Sequence, residues 1–338
     1  MTLAVVLSLC LGLLPVLVFL LIFVLLDSYK LVPWRRVLWQ LVLGAVAAAG
    51  CLLVDAVLQQ ALGLPPVARA RYLAPVIEEL LKGAAVIVLL VNRRFGFLVD
   101  AAIAGFALGA GFAATENLRY FWVLRDTSLV LWMIRGFGTA VMHGSVTAIM
   151  AVTSKQLSDR RGGPGLAAIA PGWGLAIVLH SAFNHFFLSP NASTALLLLL
   201  LPGFFLAVFS VSETRTREWL GTGFDTDQEL LHLINEGRAS DSRIGTYLGE
   251  LKQRFAGTVV ADMLCLLRIR LELSIRAKGI LIMRKAGFKA VPDHDFNERV
   301  AEVHFLEHAI GPTALRALSP ILNLRDRDFW QVQLLHEG

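Results

Sequence analysis

Seven stretches of this chain are apolar over bilayer length, and nothing else in the sequence constrains the fold as strongly: 3–26, 37–61, 73–91, 97–122, 129–153, 166–188 and 194–211. Crossing the hydrocarbon core takes about 20 mostly apolar residues in a helix, which satisfies its own backbone N–H and C=O groups where no water can. The pattern predicts an all-α, polytopic membrane helical bundle of about seven transmembrane helices joined by short loops. No inverted repeat is visible among them, which weakens a transporter reading.

Charge is distributed unevenly along the chain. Residues 1–211 hold 8 acidic and 14 basic side chains, and residues 212–338 hold 18 and 17. The first part reads as a membrane domain (1–211) and the second as a soluble domain (212–338). The positive surplus lies in the membrane part, so it is a topology signal and gives no reason to expect nucleic acid as a partner. Ten lysines and arginines follow the odd-numbered spans (among them Lys30, Arg93, Lys155 and Arg215), against four on the other side (Arg69, Arg71, Arg119 and Arg125). That ratio predicts a multi-pass protein of the cell membrane with the N-terminus outside and residues 212–338 in the cytoplasm. The N-terminal stretch lacks a basic region and a cleavage site, so it reads as a retained span. Cys10, Cys51 and Cys265 have neither disulfide nor zinc spacing.

Residues 225–237 and 243–285 look helical, with a strand possible over Leu266 to Ile275. Gly287, Pro292, Gly311-Pro312 and Pro320 punctuate the shorter elements toward the C-terminus. No catalytic motif is present in this tail, and binding of a cytoplasmic partner is the role expected of it.

Within the third span stand Glu78, Glu79 and Lys82. An ionised side chain at mid-bilayer costs about 2.5–3.5 kcal/mol on insertion scales, so three in one span need a reason. Lys82 is four residues from Glu78 and three from Glu79, so it can neutralise one of them. Two close carboxylates in low dielectric titrate as a unit, a condition for a general base near neutral pH. A purely structural Glu–Lys bridge is the competing reading. Glu116 ends the fourth span, where an interfacial carboxylate bridged to Arg119 or Arg135 would be unremarkable. His143 lies near the middle of the fifth. His180 and Asn184 share a face of the sixth and can donate two hydrogen bonds to one point, as an oxyanion hole requires. Counting the helical rise puts Glu78, Glu79, Glu116, His180 and Asn184 in the outer half of the bilayer, with His143 nearer the middle. Asp55, Asp100 and His185 are weaker candidates.

These residues resemble the PrsW family of intramembrane proteases, related to the CAAX prenyl proteases. The family pattern is EExxK, FxxxE, FxxxH and HxxxD on successive helices. Glu78-Glu79-Leu-Leu-Lys82 and Phe112-Ala-Ala-Thr-Glu116 match the first two. In the third, Thr139 stands in place of phenylalanine before His143; the fourth ends in Asn184 in place of aspartate, as in the CAAX branch. The resemblance covers residues 70–190 and implies a glutamic-type peptidase that cuts a membrane-anchored protein, such as an anti-sigma factor, near the outer face. It implies Glu78 as the base assisted by His143, Glu79 held by Lys82, His180 and Asn184 as oxyanion donors, and Glu116 orienting water or substrate. No cofactor is expected. Zinc on the same carboxylates and histidines is one alternative, though no HExxH-type helix is present. A proton-coupled transporter and a non-catalytic receptor are others.

Overall fold

The computed structural model describes residues 3–123, 128–288 and 295–322. Contacts divide it into two units, Met1–Ser212 and Glu213–Gly338. The first begins with α1 (Leu3–Leu26) and α2 (Trp34–Leu62). A single turn, α3 (Pro66–Ala68), runs through a π-helical segment, Arg69–Leu73, into α4 (Ala74–Val91), and α5 (Leu98–Val123) comes after it. Next, α6 (Leu129–Met133) runs through a second π-helical segment, Ile134–Ala140, into α7 (Val141–Arg161), before α8 (Leu166–Asn184) and the start of α9 (Pro190–Asn235). Six helices are long and apolar enough to cross a membrane: Leu3–Leu26, Trp34–Leu62, Leu98–Val123, Leu129–Arg161, Leu166–Asn184 and Pro190–Asn235. The remaining expected span forms as α4, but three charges in 18 residues leave it outside that set. Arg125 and Pro292 lie outside the described residues.

Helix α5 is the axis of this unit. Every residue from Leu98 to Ala113 is buried, as befits a helix apolar on all sides with neighbours all round. It packs chiefly on α2 and α7. Small residues allow the backbones to touch. A Cβ added to Gly44 of α2 would stand 1.9 Å from the carbonyl oxygen of Leu108, and one added to Gly109 would stand 2.3 Å from that of His143. Gly109 thus sets the distance at which α7 delivers His143. Gly109→Ala is expected to push the helices apart at a cost of about 1–3 kcal/mol, the usual range for overpacking. Thermal unfolding of the detergent-solubilised chain measures this; an unchanged midpoint would show that the contact yields. Helix α1 joins through Asn117, whose Nδ2 donates to the Gly12 carbonyl at 2.7 Å, and through Phe23, stacked on Phe205 at 3.6 Å and edge-on to Phe106 at 5.0 Å. Asp100 caps the start of α5, its Oδ2 accepting from the N–H groups of Gly96 (2.9 Å) and Phe97 (3.2 Å).

The second unit contains the rest of α9, α10 (Arg243–Leu251), α11 (Gly257–Lys285) and α12 (Phe296–Leu322), with no strand among the described residues. The alternation at Leu266 to Ile275 does not form a strand. Val260, Met263, Leu267 and Leu271 are buried at spacings of three and four, and that helical period prevails across 29 residues without proline. Nor does a helix end at residue 211, since α9 continues unbroken to Asn235. Gly311, at φ +77°, breaks α12 where Gly311-Pro312 was expected to. Asp227 accepts from Lys278 Nζ and Ser274 Oγ, each at 2.7 Å, which satisfies a nearly buried lysine.

Candidate active site

The packing of α4, α5, α7 and α8 brings six of the seven expected site residues into one cluster. Lys82 Nζ donates to Glu79 Oε1 at 2.5 Å and to His143 Nδ1 at 3.0 Å. Glu79 and Lys82 are fully buried. His180 donates from Nδ1 to the same Glu79 oxygen at 2.8 Å. His143 uses its other nitrogen, Nε2, to donate to Glu116 Oε2 at 3.2 Å. Glu116 also lies 3.4 Å from the Arg135 guanidinium, which donates to Asn117 Oδ1 at 2.9 Å and stacks over Tyr120. Glu79 is therefore matched by Lys82 and Glu116 by Arg135. Glu78 is the third carboxylate, and no salt bridge among the described residues gives it a lysine or arginine. Its Oε2 is buried, has no hydrogen-bond partner among the described residues, and stands 3.9 Å from His180 Nε2 and 4.0 Å from His143 Nδ1.

A cavity of about 270 Å³ reaches this cluster between α2, the 69–78 segment and α5. Glu78 and Glu116 line it; His143, His180 and Glu79 do not. Cys51, Phe112, Arg69 and Arg119 contribute to its walls.

A comparison with protein families matches residues 32–211 to the PrsW family intramembrane metalloprotease. The chain belongs to that family. Family membership and the membrane-competent helices make it a multi-pass membrane peptidase whose substrate is a membrane-embedded protein. No curated protein and no solved structure matches the chain.

The phenylalanine of the second family motif has a visible purpose here. The ring of Phe112 lies 4.6 Å from Lys82 Nζ and 5.1 Å from the His143 ring, a favourable face for a buried cation. The family description also names a metal, and the donor types suit one, although both nitrogens of His143 are already taken. Glu78, His143 and His180 each offer a ligand atom, all within 4.8 Å of one another, and one carboxylate with two imidazoles is a donor set of catalytic zinc sites.

The seventh expected residue is placed differently. Asn184 shares a helix with His180, but its Nδ2 donates to the backbone carbonyl of Ala70 at 2.9 Å. In this geometry the two side chains do not converge on one point. His185 is likewise apart, donating from Nδ1 to the Ser181 carbonyl and stacking on Phe187. Asp55 pairs with Arg69 at 3.5 Å on the cavity wall. Sequence reasoning passed over Trp173, whose Nε1 donates to the Glu79 carbonyl at 2.7 Å, and Ser181, whose hydroxyl donates to the Arg71 carbonyl at 2.7 Å. The available signal was general: an indole N–H or a hydroxyl in a membrane helix needs an acceptor, and carbonyls near a proline are short of donors.

Proposed function

We propose that the chain hydrolyses a peptide bond of a membrane-anchored protein with Glu78 as general base, in regulated intramembrane proteolysis of a substrate such as an anti-sigma factor. One observation carries this reading. Among three clustered carboxylates, Glu78 alone combines a buried oxygen free of hydrogen bonds, two imidazole nitrogens about 4 Å away, and a place on the cavity wall. Those separations are too long for direct hydrogen bonds, and the proposed reaction places a shared water between the three groups.

In the proposed reaction, Glu78 takes a proton from that water as its oxygen adds to the scissile carbonyl carbon. His180 donates from Nε2, in its protonated form, to the developing oxyanion. Glu79 holds the opposite nitrogen and stabilises the imidazolium charge, as a buried carboxylate does in a hydrolytic triad. The proton on Glu78 passes to the leaving amine when the C–N bond breaks. His143, fixed by Lys82 and Glu116, bounds the water site, and Glu116 orients water or substrate. The oxyanion role expected of Asn184 falls to His180 alone. Loop charges support an N-terminus outside and residues 212–338 in the cytoplasm, with cutting near the outer face of the cell membrane. Quantitative membrane proteomics of wild type against Glu78→Gln cells tests the reading. A single-pass protein that accumulates uncut names the substrate, and an unchanged proteome would sink the assignment.

A second reading has the same three residues, Glu78, His143 and His180, hold a divalent ion. Bound there, it would polarise the carbonyl and acidify water. The Lys82 ammonium argues against it. It occupies His143 Nδ1 at 3.0 Å while Glu116 takes Nε2, and it sets a positive charge beside the ligand set. Cleavage is therefore expected to survive EDTA and 1,10-phenanthroline within about twofold, the scatter of uncoupled effects. Loss in chelator with recovery on adding zinc would establish the metal reading.

A further inference from the structure

Both polypeptide segments that deliver the cluster from α4 and α7 arrive through π-helical turns, Arg69–Leu73 before Glu78 and Ile134–Ala140 before His143. Turns of this kind are rare and concentrate at functional sites. The first has an identifiable cause. Residue 75 is proline and carries no N–H, so one carbonyl of this turn loses its donor: that of Arg71, four residues earlier, in an α-helical register, or that of Ala70, five earlier, in the π-helical one. The N–H of Ala74 does not repair this, because it reaches back to Arg69. Ala70 is exposed and Arg71 half-buried, and both carbonyls carry a side-chain donor.

Helix α8 supplies both donors. Asn184 Nδ2 donates to Ala70 O at 2.9 Å and Ser181 Oγ donates to Arg71 O at 2.7 Å. The same helix holds Glu79 through His180, 2.8 Å from its side chain, and through Trp173, 2.7 Å from its backbone carbonyl. On the other side of the turn, the Arg69 side chain bonds Gln59 and pairs with Asp55 of α2. Each residue gained or lost in a helical turn rotates everything beyond it by about 100°. The direction in which α4 presents Glu78 and Glu79 therefore depends on how this turn is held.

We propose that Ser181 and Asn184 are positioning residues of the proteolytic site: they hold the carbonyls of Arg71 and Ala70 in the turn before Pro75 and so fix the direction of Glu78 and Glu79. The inference rests on the proposed role of Glu78, and the test separates the two. The full chain is reconstituted in phosphatidylcholine–phosphatidylglycerol vesicles with the single-pass protein that accumulates uncut in Glu78→Gln cells, and kcat and KM are measured. Ser181→Ala and Asn184→Ala should each lower kcat by about ten- to hundredfold, the range for misplacing catalytic groups by an ångström or less. KM should move by less than about twofold and Ser181→Thr, which keeps the hydroxyl, should restore kcat. Pro75→Ala returns one N–H, so in that background one of Ser181→Ala and Asn184→Ala should cost no more than about twofold. An equal loss in both backgrounds for each of the two variants would overturn the proposal, as would a lowered unfolding midpoint with kcat unchanged. If Pro75→Ala is itself inactive, the double variant Ser181→Ala/Asn184→Ala decides. A loss no larger than the greater single loss supports a shared turn, whereas multiplied losses point to independent roles and overturn it. Wild-type rates in Ser181→Ala beside an inactive Glu78→Gln sink this inference alone. Cleavage that survives Glu78→Gln sinks the reading beneath it.

Discussion

Glu78→Gln should lower cleavage by about a thousandfold while the chain inserts and folds normally, within the range attributed to a general base. The substitution keeps the shape and removes only the negative charge and basicity. Its structural cost should be small, because Oε2 of Glu78 makes no hydrogen bond with a described residue. Glu79→Gln is the informative contrast. Glu79 accepts from both Lys82 and His180 through one oxygen, so its loss leaves the buried ammonium uncompensated and frees the imidazole. That variant should lose stability as well as activity. Purified variants compared for cleavage rate and for thermal midpoint separate the two effects. Equal stability loss in both variants, or wild-type cleavage in Glu78→Gln, would reverse the assignment of base and partner.

Lys82→Met should be among the most destabilising single changes in the protein, by about 3–5 kcal/mol, the usual consequence of removing one member of a buried pair. Both partners are fully buried, and the Lys82 ammonium touches Glu79, His143 and the face of Phe112. The second half of the prediction concerns Glu79→Gln/Lys82→Met, which carries neither charge. It should recover much of the lost stability, because an apolar or neutral pair avoids desolvating two ions. Cleavage should stay low, because His180 would then lack the carboxylate that supports its protonated form. A chemical denaturation series on the four variants gives the coupling. If the double variant is as unstable as Lys82→Met, or if Lys82→Met itself is neutral, the pair is not what holds α4 in place.

How much was legible beforehand differs from residue to residue. The pairing of Lys82 with Glu79 was half visible. Spacing alone allowed either Glu78 or Glu79, since i,i+3 and i,i+4 neighbours both come within reach on a helix. Only the approach of α8, with His180 on the same oxygen, selects Glu79. Glu116 and Arg135 are 19 positions apart on different helices, yet their pairing was among the options because each needed an opposite charge. Asn184 bonds outside the cluster, which a shared helix face could not foretell, because it says which residues are neighbours and not which acceptor lies opposite. The acceptor is the carbonyl of Ala70, in the turn before α4. The length of α9 was missed because apolar composition ends at residue 211 while helical hydrogen bonding need not.

The sequence by itself determined the membrane-length helices and the polar side chains they carry. Apolar runs of bilayer length admit little else, and carboxylates, lysine and histidines in such runs are too costly to be incidental. The tertiary structure alone decided which charge meets which: Glu79 with Lys82 and His180, Glu116 with His143 and Arg135, and Glu78 facing the cavity. The reason is physical. Periodicity fixes directions within one helix. Pairings across helices depend on how closely backbones approach, which glycines such as Gly44 and Gly109 set, and on the π-helical turn that leads into α4.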